Sequence, residues 1–175
     1  LATIDTPVVW TLHDCWAFTG RCPHFMMMGC DKWKTGCHNC PEKKNYPASA
    51  LLDGSRKNYL RKKTLFTGVK NMSLIVPSCW LKDLVQQSFL GEYPVEVRYN
   101  TINTEIFQPT PGDFRKQYGL EDKKIILGVA GVWTERKGFS DFLKLRQILD
   151  DSVAMVMVGV TQAQCQSLPA GILGI

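Results

Sequence analysis

Four cysteines fall close enough together in the sequence to share one metal ion. They lie within nineteen residues and end in a Cys-x-x-Cys pair: Cys22, Cys30, Cys37 and Cys40. Structural zinc sites use four tetrahedral thiolate or imidazole ligands, and His24 or His38 lies near enough to replace one cysteine. Because four protein ligands leave no open position, the spacing predicts a structural zinc rather than a catalytic one. Buried free thiols, or disulfides in a secreted protein, are the alternatives.

A His-Asp pair directly upstream provides candidate catalytic groups. His13 and Asp14 follow the apolar, β-branched run of residues 7–12, which predicts a buried strand. A histidine at a strand end can hydrogen-bond a substrate hydroxyl or stabilise developing charge, because imidazole ionises near neutral pH. A structural histidine bonded to a backbone carbonyl is the alternative.

A glycine-bounded turn later in the chain could bind phosphate. It runs from Gly131 to Gly138, contains Arg136 and Lys137, and lies between an apolar strand and a helix. The carboxyl edge of a parallel sheet is where α/β proteins bind ligands, and a helix N-terminus favours an anion. The four residues are therefore candidates for binding a diphosphate, although the turn has neither Walker nor GxGxxG spacing. An ordinary turn with solvated cations is the alternative.

The net charge of +5 is concentrated in one block. Residues 31–70 contain ten Lys or Arg and three Asp or Glu, a local net charge of +7, which leaves −2 for the remainder. Such a block can face phosphate, an anionic membrane surface or nucleic acid, and a solvated helix face is the alternative. No apolar run reaches the roughly 18 residues that indicate a membrane-spanning helix.

The elements that must position these groups alternate between strands and helices. Strands are predicted at residues 7–12, 73–76 and 95–99, with helices from 55 to about 70 and after the N-cap Ser78. The basic helix is expected to use an apolar face made of Tyr59, Leu60, Phe66 and Val69. Residues 20–50 lack periodicity and predict an irregular loop that something must organise, while residues 100–112 indicate a linker.

A second α/β unit begins after the linker. Residues 124–130 and 153–158 predict two strands buried on both faces and joined by a helix over residues 139–149, as a parallel sheet requires. The fold class is therefore α/β. Because the chain begins with Leu1 and ends in an apolar stretch, residues 168–175, we expect a fragment truncated at both ends.

These motifs in this order resemble a known enzyme family. Residues 11–20 match the pattern Thr-Leu-His-Asp-x-Trp-x-Phe-Thr-Gly and precede a cysteine-rich insert with Cys22, Cys30, Trp33, Gly36, Cys37, Cys40 and Pro41. The match continues through residues 77–81, 100–109 and 133–138, Val158-Gly159 and Leu168-Pro169. The chain is thus similar to the GT-B glycosyltransferases of family 4, and more closely to their bacterial polysaccharide-type branch.

The resemblance implies a GT-B fold with two Rossmann-like, doubly wound domains. Residues 1–107 would form the C-terminal part of the N-terminal, acceptor-side domain, with the Cys-rich insert at residues 20–50. Residues 108–175 would begin the C-terminal domain, which binds the nucleotide-sugar donor. The family's Gly-rich first turn and its paired glutamates would lie outside the chain, so we expect the fragment to be inactive alone.

The implied activity is retaining transfer of a sugar from a nucleotide-diphosphate-sugar donor to a hydroxyl group, without a catalytic metal. The acceptor would be a saccharide or lipid-linked saccharide in cell-surface polysaccharide synthesis. Lys137 would hold the donor diphosphate, and His13 would lie near the transferring sugar. Many family members carry an arginine where this chain has Val132, and Arg136 is the candidate replacement.

A cytoplasmic location is expected, with peripheral contact to the inner face of the membrane through the basic stretch 31–70. Nucleic acid is not an expected partner, because the basic helix lacks interleaved exposed aromatic residues. Two other functions stay open at this point: a zinc-stabilised nucleic-acid-binding module and a non-catalytic GT-B-like partner subunit.

Overall fold

The structure, a computed structural model, describes residues 5–44, 47–49 and 52–175. The chain divides into two compact units, Leu1–Asn103 and Thr104–Ile175, called unit 1 and unit 2 below. Each unit has a three-stranded parallel sheet with helices, so the predicted α/β class is confirmed. None of the helices among these residues is long and apolar enough to cross a membrane. The assignment of the units to domains 1–107 and 108–175 of a GT-B enzyme stays a prediction.

Unit 1 is built on a sheet with the order β1-β2-β3. Its elements are β1 (Val8–Thr11), α1 (Ser55–Phe66), β2 (Met72–Val76), α2 (Cys79–Gln86) and β3 (Val95–Val97). The middle strand provides the centre of the core, with Leu74 and Val76 fully buried. Helix α2 begins where the sequence predicts it, because the Ser78 hydroxyl oxygen accepts the backbone N–H of Leu81 at 3.2 Å.

The long segment between β1 and α1 contains only short 3-10 turns among its described residues, at Trp16–Phe18, Met26–Met28, Lys32–Lys34 and Pro41–Lys44. The predicted irregular loop is therefore confirmed for these residues, and residues 45, 46 and 50 of the predicted insert lie outside the described part. Trp33 is the apolar centre of the insert. Its ring packs against Phe18 and Phe25 at centroid distances of 5.4 and 5.0 Å.

Helix α1 is shorter than predicted, and its buried face differs. It ends at Phe66, and Val69 is buried beyond its end. Tyr59 is buried as expected, but Leu60 is 52% exposed and Lys62 is buried in its place. Hydrophobicity alone therefore assigned the wrong face at this turn of the helix.

Unit 2 is built on a sheet with the order β4-β5-β6. Its elements are α3 (Phe114–Gln117), β4 (Lys124–Val129), α4 (Phe139–Gln147), β5 (Val153–Val158), α5 (Gln162–Ser167) and β6 (Ile172–Gly174). Helix α5 was not predicted, and β6 lies within residues 168–175, for which only an apolar stretch was noted. Residues 98–113, which include the predicted linker, contain neither a helix nor a strand.

The two strands first predicted for unit 2 differ in their burial. Strand β5 is buried on both faces, as expected, from Ala154 to Met157. In contrast, Leu127 and Val129 of β4 are 61% and 68% exposed, because no described residue covers that face of the strand. The prediction of burial on both faces is therefore wrong for β4.

One close contact joins the start of the insert to α1 and gives a test of the packing. A Cβ on Gly20 would lie 2.4 Å from the Ser55 carbonyl oxygen and 2.7 Å from the Cys37 Cβ. We expect Gly20→Ala to destabilise the protein by about 1–3 kcal/mol, because the clash is with backbone that cannot rotate away. Urea unfolding followed by tryptophan fluorescence measures the change.

Gly54→Ala is the matched control, since the nearest atom to its added Cβ would be Asn58 Nδ2 at 3.7 Å. Its effect should stay within about 0.5 kcal/mol. Equal stability of the two variants would show that the insert does not pack closely on α1.

Candidate functional site

The motif at residues 11–20 has a buried half and an accessible half. The buried residues are Leu12, Cys15, Ala17, Phe18, Thr19 and Gly20. They join the motif to the core of unit 1 and to the insert. Thr11, His13 and Trp16 are exposed and Asp14 is half-buried. A ligand can reach these four side chains of the motif, so the motif combines residues that pack in the core with residues at the surface.

The predicted pair His13 and Asp14 lies in the bend that follows β1. His13 is exposed to solvent. The Asp14 carboxylate accepts the backbone N–H of Trp16 at 2.8 Å and so holds the first 3-10 turn of the segment in place. This contact gives Asp14 a local structural role. The catalytic role assigned to the pair stays a prediction.

Lys62 is a site residue that the sequence did not reveal. Only 7% of the surface of this residue is exposed. Its ammonium group donates hydrogen bonds to the carbonyl oxygens of Trp16 and Thr19, the latter at 3.0 Å. The same group lies 3.6 Å from the centroid of the Trp16 ring. Burial lowers the pKa of Lys62 to about 8. The available signal was its spacing from Ser55 and Tyr59, which places all three on one helix face.

A groove of about 600 Å³ runs beside this cation, between α1 and the start of the insert. Its polar and aromatic lining includes Trp16, Arg21, Arg61 and Lys62. The groove therefore combines an exposed indole with basic side chains. An aromatic ring beside cations suits a ligand that has both an apolar face and negative charge.

The four clustered cysteines are brought together in unit 1, where they line one small cavity. Burial raises the pKa of Cys22 to about 11, and the nearby thiols of Cys40 and Cys37 add to the effect. Burial also raises the pKa values of Cys37 and Cys40. Without a bound cation these groups are therefore thiols rather than thiolates near neutral pH.

The two histidines near the cluster differ in position. His38 lines the same cavity, and its Nδ1–H donates to the Gly36 carbonyl at 2.9 Å. His24 is half-buried and does not line that cavity. As the side chains are placed, the described residues contain no group of three or more His, Cys, Asp or Glu that could hold a metal ion.

The predicted diphosphate turn follows β4 in unit 2. Trp133 anchors it, because the buried indole donates to the Val158 carbonyl at 2.9 Å while its own carbonyl accepts the Gln164 amide at 3.1 Å. Gly138 is the N-cap residue of α4 and has φ at +79°, a left-handed conformation that favours glycine. This glycine is thus explained by the backbone of the turn. Gly131 is exposed and has open space around its Cα.

The two cations of the turn are available for a ligand. Arg136 and Lys137 are exposed, and their side chains make no hydrogen bond or ion pair with any described residue. The Lys137 backbone N–H donates to Thr134 at 2.9 Å, which fixes where its side chain begins. The structure therefore shows an ordered turn with two unpaired positive charges at the carboxyl end of β4.

Comparison with known proteins identifies one informative relative. An alignment over 59 residues, which covers 30% of this chain, is 48% identical to the colanic acid biosynthesis glycosyl transferase WcaC of Escherichia coli (strain K12), whose name is itself a provisional assignment. The match spans only 14% of that protein's length. No family model matches the chain, and no solved structure matches it significantly.

Over the matched part, this chain is similar to a glycosyltransferase of polysaccharide synthesis. The predicted resemblance to glycosyltransferases is confirmed at that level. The GT-B fold, family 4 and the roles of the candidate residues stay predictions.

A substitution of the buried Lys62 tests whether this residue stabilises the motif at residues 11–20. Lys62→Met keeps the apolar stem but removes the donors to the Trp16 and Thr19 carbonyls, so we expect a loss of about 1–3 kcal/mol in unfolding free energy. Lys57→Met, at an exposed position of α1, is the control and should change stability by less than about 0.5 kcal/mol. If urea unfolding gives equal values for the two variants, Lys62 does not support the motif.

Proposed function

We propose that the full-length protein is a retaining glycosyltransferase of the GT-B fold, family 4. It would move a sugar from a nucleotide-diphosphate-sugar donor to a hydroxyl group of a growing cell-surface polysaccharide. The observation that carries this proposal is the 48% identity to WcaC over 59 residues. The motifs at residues 11–20 and 131–138 support it, since both follow parallel strands at their carboxyl ends.

The donor side of the proposal rests on the turn of unit 2. Arg136 and Lys137 are unpaired within the described residues, so they are free to neutralise a diphosphate. When the bond to the sugar breaks, the leaving diphosphate gains negative charge, and a fixed cation stabilises that charge more than it stabilises the ground state. In this proposal Lys137 has that role and Arg136 assists, without a catalytic metal.

The acceptor side of the proposal rests on unit 1. Trp16 offers an exposed ring for the apolar face of a sugar, and Arg21 and Arg61 in the same groove can pair with carboxylate or phosphate groups. A saccharide or lipid-linked saccharide has this combination of surfaces. The basic stretch 31–70 would bring the protein to the inner face of the membrane from the cytoplasm.

His13 completes the set of proposed groups. It is exposed in the bend that follows β1, next to Asp14, whose carboxylate accepts the backbone N–H of Trp16 and so fixes the local backbone. An imidazole there can hydrogen-bond a hydroxyl of the transferring sugar or stabilise developing positive charge when neutral.

Lys137→Ala tests the donor role. In the full-length protein we expect kcat to fall by about 10²–10³ at saturating acceptor, the usual effect of losing one transition-state charge partner. Lys144→Ala is the matched control, because Lys144 is also exposed but pairs with Asp141 at 3.4 Å. Near-normal turnover by the Lys137 variant would remove this residue from the mechanism.

A wild-type full-length protein that transfers no sugar, assayed across common nucleotide sugars, would favour a non-catalytic partner subunit instead.

His13→Gln tests the proposed role of the imidazole at the transferring sugar. Since His13 is exposed, the melting temperature should not change, whereas kcat should fall by roughly 10²-fold if the imidazole acts on the sugar. Radiolabelled sugar transfer measures the rate. A variant with full activity would show that His13 only marks the family motif.

A further inference from the structure

The clustered cysteines are a feature that the proposed transfer reaction does not use. All four line one cavity of about 10 Å³, which is room for a single guest of atomic size. Cys22 is buried, Cys30, Cys37 and Cys40 are half-buried, and none of them forms a disulfide. The fold has thus gathered four reduced thiols from a loop around one small space.

In the rotamers that the structure shows for the described residues, the four cysteines do not form a group that could hold a metal ion. A cysteine sulfur moves about a single torsion, so turning it into the shared cavity displaces no backbone atom. Four cysteines thus converge on one cavity that suits a metal ion. Two further features of the same cavity favour a bound ion.

The first is a buried donor without an acceptor. Trp33 lines the cavity, its side chain is 2% exposed, and its indole N–H has no hydrogen-bond partner among the described residues. Ring packing against Phe18 and Phe25 holds the indole in place. An unsatisfied buried donor is destabilising, and a metal-bound thiolate beside it would supply a charged acceptor.

The second is the hydrogen bonding of the Cys-x-x-Cys loop. The backbone N–H of Gly20 donates to Cys37 Sγ at 3.1 Å, and the backbone N–H of Cys40 donates to the Asp53 carboxylate at 2.8 Å. Asn39, between the two cysteines, has φ at +43°, which gives the loop its tight turn. Amide donors to sulfur stabilise the negative charge of a metal-bound thiolate, so the loop is suited to hold one.

We propose that Cys22, Cys30, Cys37 and Cys40 bind one structural Zn²⁺. Four soft thiolates favour zinc over the hard cations, and a closed tetrahedral set leaves no open position for substrate. The four cysteines complete this set without a histidine. None of the four proposed metal ligands is a residue assigned to the proposed transfer reaction.

The ion would organise a segment that has little else to order it. Residues 20–44 contain no strand and no α-helix, so their backbone entropy is offset by few regular hydrogen bonds. Metal binding supplies folding free energy to such loops. Because Cys37 contacts Gly20, the ion would also hold the end of the motif that carries His13.

Elemental analysis tests the proposal. Full-length protein purified without chelators should contain about one zinc per chain, and Cys37→Ser should reduce this below about 0.2. Cys165→Ser is the matched control, because Cys165 is exposed in unit 2, and it should keep the metal. Zinc-free wild-type protein, or equal zinc in the two variants, would overturn the site.

Differential alkylation of the wild-type protein decides the matter if Cys37→Ser does not fold. Iodoacetamide labelling is mapped by mass spectrometry with and without a zinc chelator. The four clustered cysteines should become reactive only after the chelator is added, whereas the exposed Cys79 and Cys165 should react in both cases. Equal labelling of the clustered cysteines with and without the chelator would contradict zinc binding. Recovery of these cysteines as disulfides would contradict it as well.

Discussion

Unit 1 depends on how closely the end of the motif approaches α1. Gly20 has no room for even a methyl group, because the Ser55 carbonyl and the Cys37 side chain occupy the space where its Cβ would be. This contact brings three parts of the chain together at one point: the segment after β1, the Cys-x-x-Cys loop and the first turn of α1. The buried Lys62 then ties the same segment to the middle of α1 through the Thr19 carbonyl.

The same packing explains why one motif can serve two purposes. Burying Phe18 and Thr19 requires the chain to turn sharply after the strand, and that turn leaves His13 and Trp16 on the surface. Unit 2 follows a similar logic. Trp133 is buried to support the turn, while Arg136 and Lys137 stay free of partners in the described structure. In both units a buried aromatic residue holds the segment that presents the polar groups.

Much of the architecture could be predicted because it depends on local patterns. Short apolar runs indicated β1, β2 and β5, and the hydroxyl of Ser78 marked the start of α2. Helix α5 was missed although Thr161 and Gln164 form a capping box, a signal that the sequence carries openly. The open face of β4 was also missed, because periodicity shows that a strand is apolar but cannot show which of its faces is covered.

The sequence by itself determined the α/β class, the family resemblance and the set of candidate groups, since these depend on residue type and spacing. Only the tertiary structure decided which groups share a site. It gathered four cysteines around one cavity with Trp33, whose indole N–H has no hydrogen-bond partner among the described residues, and it turned Lys62 of a basic helix inward. The physical reason is that a run of basic residues predicts solvent exposure for most of its side chains but not for each one. A single lysine is buried when carbonyl oxygens and an aromatic ring replace its water, and those partners lie more than forty residues away in the chain.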